Sequence, residues 1–501
     1  MLCALIFADN KYQSTRMGIL RAPGAHRIAT HLRRLNIQTE VVDFYLNWTI
    51  DELKQVIDCQ LAKSTLFIGF SCSLMFDGVE NFAIIKDYVK SKNPNIPIVV
   101  GGNKTLQKGF DGADYYIEGS GETAITALVD YLQGHTETLV YKHINGNKVL
   151  DSLTDYKVNS IKNLNIEYLP SDYIGSREVL SLETARGCIF KCAFCDFPGI
   201  GKKKLDYLRD RDEIVSELLK NYQDNGTTNY FIVEDTINDS DAKCEMLAEI
   251  ASILPFKLSL MGYMRADLLI SRPKNLDYLM QAGFKSMHFG IETFNEAAGK
   301  IIGKGMPADR LKEGLIDIKR RYPELHTTST FIVGLPHETP DEILKTLDWL
   351  TESKALDFWS FNPLIIPKRD PTVHHSYFTD NYRLYGYTNM STDEFQRRQT
   401  ELEGTTFGLK FWKNIIYWKN KNFDFISAAN FVSELSKKSY QYRKIDGWSG
   451  FSMSALGQEI NELLQQSYNG QNKINDVLLQ QQTEDYINSY KQKKLEFFQN
   501  T

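Results

Sequence analysis

No run of apolar residues in this 501-residue chain approaches the ~20 residues of a membrane-spanning helix. The longest are strand-sized. Met1-Leu2-Cys3-Ala4-Leu5-Ile6-Phe7 lacks a basic leader and a cleavage site, so it reads as a first strand and not as a signal peptide. An excess of positive charge is also missing. The 58 Lys and Arg stand against 63 Asp and Glu, a formal net charge of −5, and general attraction to nucleic acid has no support. Cysteine is sparse, and four of the seven are scattered as Cys3, Cys59, Cys72 and Cys244. That usage fits a reducing compartment, so the protein is expected to be cytosolic. No solenoid-like repeat is visible. An apolar content of 42% and a charged content of 24% are those of an ordinary globular protein, long enough for about two to four domains.

The other three cysteines are concentrated. Glu183-Thr184-Ala185-Arg186-Gly187-Cys188-Ile189-Phe190-Lys191-Cys192-Ala193-Phe194-Cys195 follows a strand-like run, Val179 to Leu182. Thiolates at this C-x3-C-x2-C spacing can hold an iron–sulfur cluster, and three sulfurs leave one iron of a cubane open to a small chelating ligand. Zinc commonly takes four ligands in paired short clusters, and no second cluster accompanies this one. Plain burial of free cysteines is the third reading, and it explains such close spacing least well.

Around these residues the chain resembles the radical S-adenosylmethionine (radical SAM) superfamily, whose signature C-x3-C-x-aromatic-C is met by Cys188, Cys192, Phe194 and Cys195. The resemblance implies a [4Fe–4S] cluster on those cysteines. Its open iron would bind the amino and carboxylate groups of S-adenosylmethionine (SAM), and one electron would break a C–S bond to give a 5′-deoxyadenosyl radical. It also implies an electron donor such as flavodoxin or ferredoxin.

Residues 1–150 alternate strand and helix, which implies a doubly wound parallel sheet. Ligands of such sheets bind at the carboxyl ends of the strands, here at Asp9, Ser71, Gly101, Gly102 and Gly119. The region resembles the Rossmann-like cobalamin-binding domain that precedes many radical SAM cores, so Ser71, Gly101, Gly102 and Gly119 are the implied corrinoid contacts. Cobalamin proteins with a lower histidine ligand carry Asp-x-His-x-x-Gly after the first strand. Here Lys11 replaces the histidine, in Asp9-Asn10-Lys11-Tyr12-Gln13-Ser14. Residues 151–178, with Leu169-Pro170, read as a connector.

A second alternating series fills 179–370. Strands are expected at 179–183, 230–234, 257–263, 286–291, 328–333 and 357–361, with helices at 210–223, 240–252, 274–282, 307–321 and 340–353. Asp210 and Asp239 are candidate caps for the first two helices, and Pro307 suits a first turn. Six repeats suggest a partial (β/α)6 barrel, whose functional groups lie at the carboxyl ends of strands. By the resemblance, Glu234 and Asp235 hold the SAM amino group, Arg265 pairs with the methionine carboxylate, and Glu292 meets ribose or amino groups. Gly334-Leu335-Pro336-His337-Glu338-Thr339 resembles a Gly-x-Pro-Gly-Glu-Thr turn, with Glu338 as an alternative cap for the helix from Pro340.

Residues 371–501 read as a mainly helical extension covering the site. His374-His375 is a loop pair without metal-ligand spacing. Asp393–Leu402 is helical, Phe407–Trp418 is an aromatic wall or lid, and Leu463–Gln482 with Lys491–Phe498 is a helical or partly disordered tail. Together these readings describe an α/β radical enzyme methylating an unactivated carbon with cobalamin. The alternatives are cobalamin-free hydrogen abstraction (rearrangement, oxidation or sulfur insertion) and a non-catalytic iron–sulfur or zinc binding protein. Neither a membrane nor a nucleic acid is an expected partner, and the substrate is left open.

Overall fold

The apolar run at the start of the chain forms β1 (Cys3–Ala8), every residue of which is buried. The computed structural model describes residues 1–10, 19–73, 75, 78–102, 109–175, 178–195, 207–369, 375–402, 415–439 and 474–501. These fall into two compact units, the first made of Met1–Glu183, Asp206–Asn229 and Ala455–Thr501, the second of Thr184–Leu205 and Tyr230–Ser454.

In the first unit β1 lies between β2 (Gln38–Val42) and β3 (Thr65–Ser71), followed outward by β4 (Ile98–Gly102) and β5 (Tyr115–Glu118). All four of these neighbouring pairs are parallel. The order 2-1-3-4-5 is that of a doubly wound sheet whose ligand crevice opens between β1 and β3. Helices α1 (Pro23–Arg34), α2 (Ile50–Leu61), α3 (Val79–Lys92) and α4 (Glu122–Leu132) make the crossovers. Thr49 starts α2 with a reciprocal box, its side chain accepting from Glu52 N–H while the Glu52 carboxylate reaches back to Thr49 N–H. Two separate apolar clusters carry the core of this unit, with Phe7, Phe44 and Phe70 in one and Ile6, Ala29 and Leu128 in the other. A hairpin of β6 (Lys142–Ile144) and β7 (Asn147–Asp151) extends the sheet to seven strands, with β7 parallel to β5. The sequence reading had no strand there, because both are short and polar.

The Gln/Asn-rich tail contains a long helix, Ile474–Asn500, that returns to the first unit. It docks by charge, by aromatic contact and through Ile487 and Phe498, which join the apolar cluster of Phe7 and Phe70. Lys494 Nζ, fully buried, pairs with Glu40 at 2.7 Å and donates to the Ser171 carbonyl at 2.9 Å. The Asp43 backbone N–H donates to Tyr490 Oη at 3.0 Å, and Tyr486 donates to Glu178. Arg21 lies beneath, paired with Asp43 at 2.6 Å and Glu178 at 2.7 Å, with the rings of Phe44 and Tyr490 about its guanidinium. Burial would raise the Asp43 carboxyl, but His26 and Arg21 beside it hold it well below the usual carboxylate range.

The second sheet runs β8 (Leu180–Leu182), β9 (Asn229–Ile232), β10 (Ser259–Met264), β11 (Phe284–Glu292), β12 (His326–Val333) and β13 (Phe358–Pro363) in spatial order, open at both ends. The last four are parallel neighbours. Helices at Arg211–Asn225, Asp241–Ile253, Pro273–Ala282, Ala308–Arg321 and Pro340–Ser353 alternate with them as expected. Two short helices, Ala266–Ser271 and Glu296–Ile302, were not anticipated. The caps differ in detail. Ser240, one residue on from Asp239, caps the helix Asp241–Ile253, and Asp239 pairs instead with Lys243 at 2.8 Å. Asp210 takes the N-cap position without a side-chain cap bond, and Pro307 is itself an N-cap. Thr339, in a reciprocal box with Glu342, caps Pro340–Ser353, which frees Glu338 from that role.

Within this unit the following segments fold back onto the Gly334 turn. Tyr387 Oη and Asn420 Nδ2 donate to the Gly334 carbonyl at 2.8 and 3.1 Å, and Asn422 Nδ2 donates to that of Glu338 at 2.7 Å. Gly334 has φ +101°, and a Cβ there would lie 2.3 Å from the Trp418 ring. Only glycine fits that place. Thr392–Arg398 is helical, continued by a 3-10 turn to Leu402. Of the aromatic stretch from Phe407, residues 407–414 lie outside the described residues, as do His374 and 463–473.

Candidate active site

Thr184 leaves the end of β8 and opens the cysteine loop. Its backbone N–H donates to Glu234 Oε1 at 3.1 Å, and its hydroxyl donates to the same oxygen. The other Glu234 oxygen pairs with Lys243 Nζ at 2.7 Å, both side chains being buried. Glu234 therefore faces the protein and ties the loop to the second strand. Asp235, next along, is half-buried.

None of the seven cysteines is in a disulfide, and Cys188, Cys192 and Cys195 are half-buried. Several contacts hold their loop. Ala193 N–H donates to the Ile302 carbonyl at 3.3 Å, the Ala193 carbonyl accepts from Phe378 N–H at 2.8 Å, and Cys188 Sγ lies 3.5 Å from Thr236 Oγ1. No three His, Cys, Asp or Glu side chains among the described residues converge on a single ion. A cubane does not ask for that, since each thiolate binds a different iron. Three thiols outside any disulfide, in one half-buried loop, are a donor set that fits such a cluster.

Arg265 follows β10 and reaches the loop. Its Nη1 donates to Cys192 Sγ at 3.7 Å, its Nη2 to the Gly303 carbonyl at 3.2 Å, and its Nε and Nη2 grip Asp267 at 3.0 and 2.6 Å. The guanidinium also stacks 4.1 Å from the centre of the Phe190 ring. Glu292 ends β11 with φ +69°, half-buried, and burial pushes its carboxyl upward against the pull of Lys304 and Arg265. Burial likewise raises the Cys192 thiol while Lys304 and Arg265 oppose it. The structure thus brings Arg265 and Glu292 to Cys192 and turns Glu234 away.

Lys304 was absent from the sequence reading. It follows the helix Glu296–Ile302, whose carboxyl end runs beside the cysteine loop, and it donates to the Gly290 carbonyl at 2.7 Å. It lines a cleft open to solvent with Ala266, Asp267, Gly290 and Thr293. The sequence signal was faint: a Lys-Gly pair after a short helix.

In the first unit, Ser71 pairs in register with Gly101, and Gly102 with Glu118 just before Gly119, so the four expected residues share one sheet edge. A Cβ on Gly101 would meet nothing within 4 Å, which leaves room for a ligand against that backbone. Asp9 is engaged by Asn10 and Leu46 backbone N–H groups, and burial raises its carboxyl to about 6. Lys11 to Ser14 lie outside the described residues.

Residues 182–350 match the Radical SAM superfamily. That segment, about a third of the chain, carries the radical SAM domain. A tRNA-2-methylthio-N(6)-dimethylallyladenosine synthase from Syntrophotalea carbinolica is 23% identical over 233 residues, 43% of this chain and 52% of the relative. The chain spans about half the length of the curated relatives it matches. Among solved structures, the radical SAM methyltransferase TsrM from Kitasatospora setae, with cobalamin and a [4Fe–4S] cluster bound, superposes with a TM-score of 0.62 at 15% identity, covering 94% of this chain and 99% of that one. OxsB, a cobalamin-dependent SAM radical enzyme, gives 0.56 at 15% identity over 98% of this chain and 71% of its own. These likenesses concern the fold. No helix among the described residues is long and apolar enough to cross a membrane.

Proposed function

We propose that this protein is a cytosolic, cobalamin-dependent radical SAM methyltransferase acting on an unactivated carbon. One observation carries the reading: three cysteines at radical SAM spacing lie beside Arg265 and Glu292, in a chain whose other unit leaves open space over Gly101 at the sheet edge formed by the ends of β3 to β5. Cys188, Cys192 and Cys195 would hold the cluster, which when bound supplies the electron that cleaves SAM. Glu234 fixes the loop through Thr184 and Lys243, and Asp235 and Glu292 would meet the cofactor. Ser71, Gly101, Gly102 and Gly119 would take the corrinoid. Electrons would come from a flavodoxin- or ferredoxin-type donor. The matches to methylthiotransferases favour a second reading, radical sulfur insertion without cobalamin.

Anaerobic reconstitution with iron, sulfide and hydroxocobalamin tests both. The wild type is expected to show a corrinoid absorbance, lost in Gly101→Phe without loss of iron, and a Co(II) resonance lacking imidazole splitting because Lys11 stands where the histidine would be. Cys192→Ala is expected to lose cluster iron. Protein that makes 5′-deoxyadenosine but takes up no corrinoid overturns the cobalamin reading, and full iron content in Cys192→Ala overturns the cluster assignment.

A further inference from the structure

Large apolar side chains reach water beside the cysteine loop. Ile189, inside the loop, is 42% exposed, and Tyr377 and Leu384 are 58% and 78% exposed. Tyr377 opens the short helix Tyr377–Asn381, and Leu384 lies in the 3-10 turn Tyr382–Tyr385 that continues it. This segment hangs directly on the loop. Phe378 N–H donates to the Ala193 carbonyl at 2.8 Å, next in the chain to Cys192. The buried Phe378 ring carries that of Tyr385, 4.8 Å away, and the Tyr377 ring lies 6.2 Å from Tyr385. Other exposed apolar residues stand singly, as Ile84, Ile253 and Ile316 do on three different helices, and such singles are ordinary.

Cations accompany these side chains. Lys191 is exposed within the loop, and Lys300 is exposed on the helix whose Ile302 carbonyl accepts from Ala193 N–H. Arg383, next to Leu384, is exposed and rests on the Tyr382 ring and hydroxyl. Asp380, the acid of the short helix, faces Arg369 at 3.8 Å, and the Arg369 side chain is 77% exposed. Four exposed cations thus stand on or beside the segments that meet the loop. Against them are Asp380 and, at the far end of the helix Glu296–Ile302, Glu296. The chain as a whole carries a net −5, so this positive excess is local. Exposed aromatic and aliphatic anchors among cations complement an acidic protein. The patch is also small. Permanent partners bury larger and more apolar faces, whereas electron carriers meet their partners briefly over small ones.

We infer that residues 377–385, with Ile189 and Lys191 of the cysteine loop, form the docking surface for an acidic one-electron carrier protein. This rests on the function proposed above, which needs an electron delivered at the cysteines. Electrons tunnel only over short distances, so a carrier must dock where little protein separates it from the cluster site. Here one hydrogen bond, from Phe378 N–H to the Ala193 carbonyl, links the backbone beside exposed Tyr377 to the backbone beside Cys192. In the transfer the carrier is oxidised by one electron and the cluster site is reduced by one, and no atom or proton moves. Leu384 and Tyr377 anchor the carrier, and Arg383, Lys191 and Lys300 steer it.

The test uses an acidic flavodoxin and the full-length protein, reconstituted anaerobically with iron and sulfide. Calorimetry with oxidised flavodoxin reads the Kd. Formation of 5′-deoxyadenosine reads electron delivery, driven either by reduced flavodoxin or by dithionite, which needs no docking surface. Arg383→Glu paired with Leu384→Asp is expected to raise the Kd and slow the flavodoxin-driven rate by about 10-fold or more. Its dithionite-driven rate is expected to stay within about twofold of wild type. Ile253→Asp, on the helix Asp241–Ile253, should leave both readouts at wild-type values. Added salt should weaken wild-type binding more than that of the paired variant. An unchanged Kd in the paired variant, or equal slowing with both reductants, overturns the docking assignment. So does a wild-type dimer that Leu384→Asp dissociates, because the face would then belong to a second copy of the chain. Wild-type protein that cleaves SAM with dithionite but binds no flavodoxin overturns it as well. Wild-type protein that cleaves no SAM even with dithionite sinks the underlying function instead, while calorimetry still reads the surface.

Discussion

Glu338 should make stability fall as pH rises, and replacing it with glutamine should abolish that slope. The carboxyl is 4% exposed and hydrogen-bonded to the Thr293 hydroxyl and, at 3.3 Å, to Leu335 N–H. Burial dominates over these two bonds, with repulsion from Glu342 adding to it, and the group is pushed up to about 8 from an ordinary 4.5. Between those values the folded protein keeps a proton that the unfolded chain releases. The stabilisation is complete below 4.5 and is lost progressively up to about 8, beyond which no more is lost. At about 1.4 kcal/mol per pH unit the whole window spans at most ~5 kcal/mol, and relaxation of the turn should leave roughly half. Glutamine imitates the protonated acid and loses little more than the Leu335 bond, about 1 kcal/mol. Glu338→Gln is therefore expected to match the wild type within ~1 kcal/mol at pH 5 and to exceed it by about 1.5–2.5 kcal/mol at pH 9. Native-state hydrogen exchange on the Pro340–Ser353 helix, run at both pH values, measures the difference locally. A variant that keeps the wild-type slope would refute the claim that this carboxyl is the source.

Lys494→Met should release the returning helix, because it strands Glu40 as a buried charge. A loss of about 3–5 kcal/mol in the exchange protection of residues 484–500 is expected, and unaltered protection would show that the apolar contacts suffice. Gly334→Ala should cost at least about 2 kcal/mol, from a left-handed backbone and a methyl set against Trp418, read as a lower urea midpoint. An unshifted midpoint would mean that the Trp418 segment yields freely.

Both sheets were legible because their strands are apolar runs separated by helices of clear period. Cys188, Cys192 and Cys195 were legible because their spacing is local. Less legible was whatever depends on partners far along the chain. Glu234 has the position of a ligand contact, and only its bonds to Thr184 and Lys243 reveal that it faces inward. Lys304 carries no motif, and its proximity to Glu292 and Cys192 arises from the fold of a short unanticipated helix. The helix Ile474–Asn500 is polar by composition and docks through Tyr486, Tyr490 and Lys494, whose mates lie at 40–43 and 171–178. No window on the sequence joins such distant pieces. The hairpin at 142–151 was too short to give a period.

That returning helix has a consequence for how the protein is made. Arg21, Glu40, Asp43 and Glu178 emerge early from the ribosome, while Tyr486, Tyr490 and Lys494 follow the whole of the second unit. Until then the nascent first sheet has a polar seam with Glu40 lacking its lysine, and water must stay in contact with it. Domains usually mature from the amino end during synthesis. Here the unit begun first is finished last, so a translational stall or a proteolytic nick before residue 484 would leave the second unit intact and the first with an open charged face for chaperones to find.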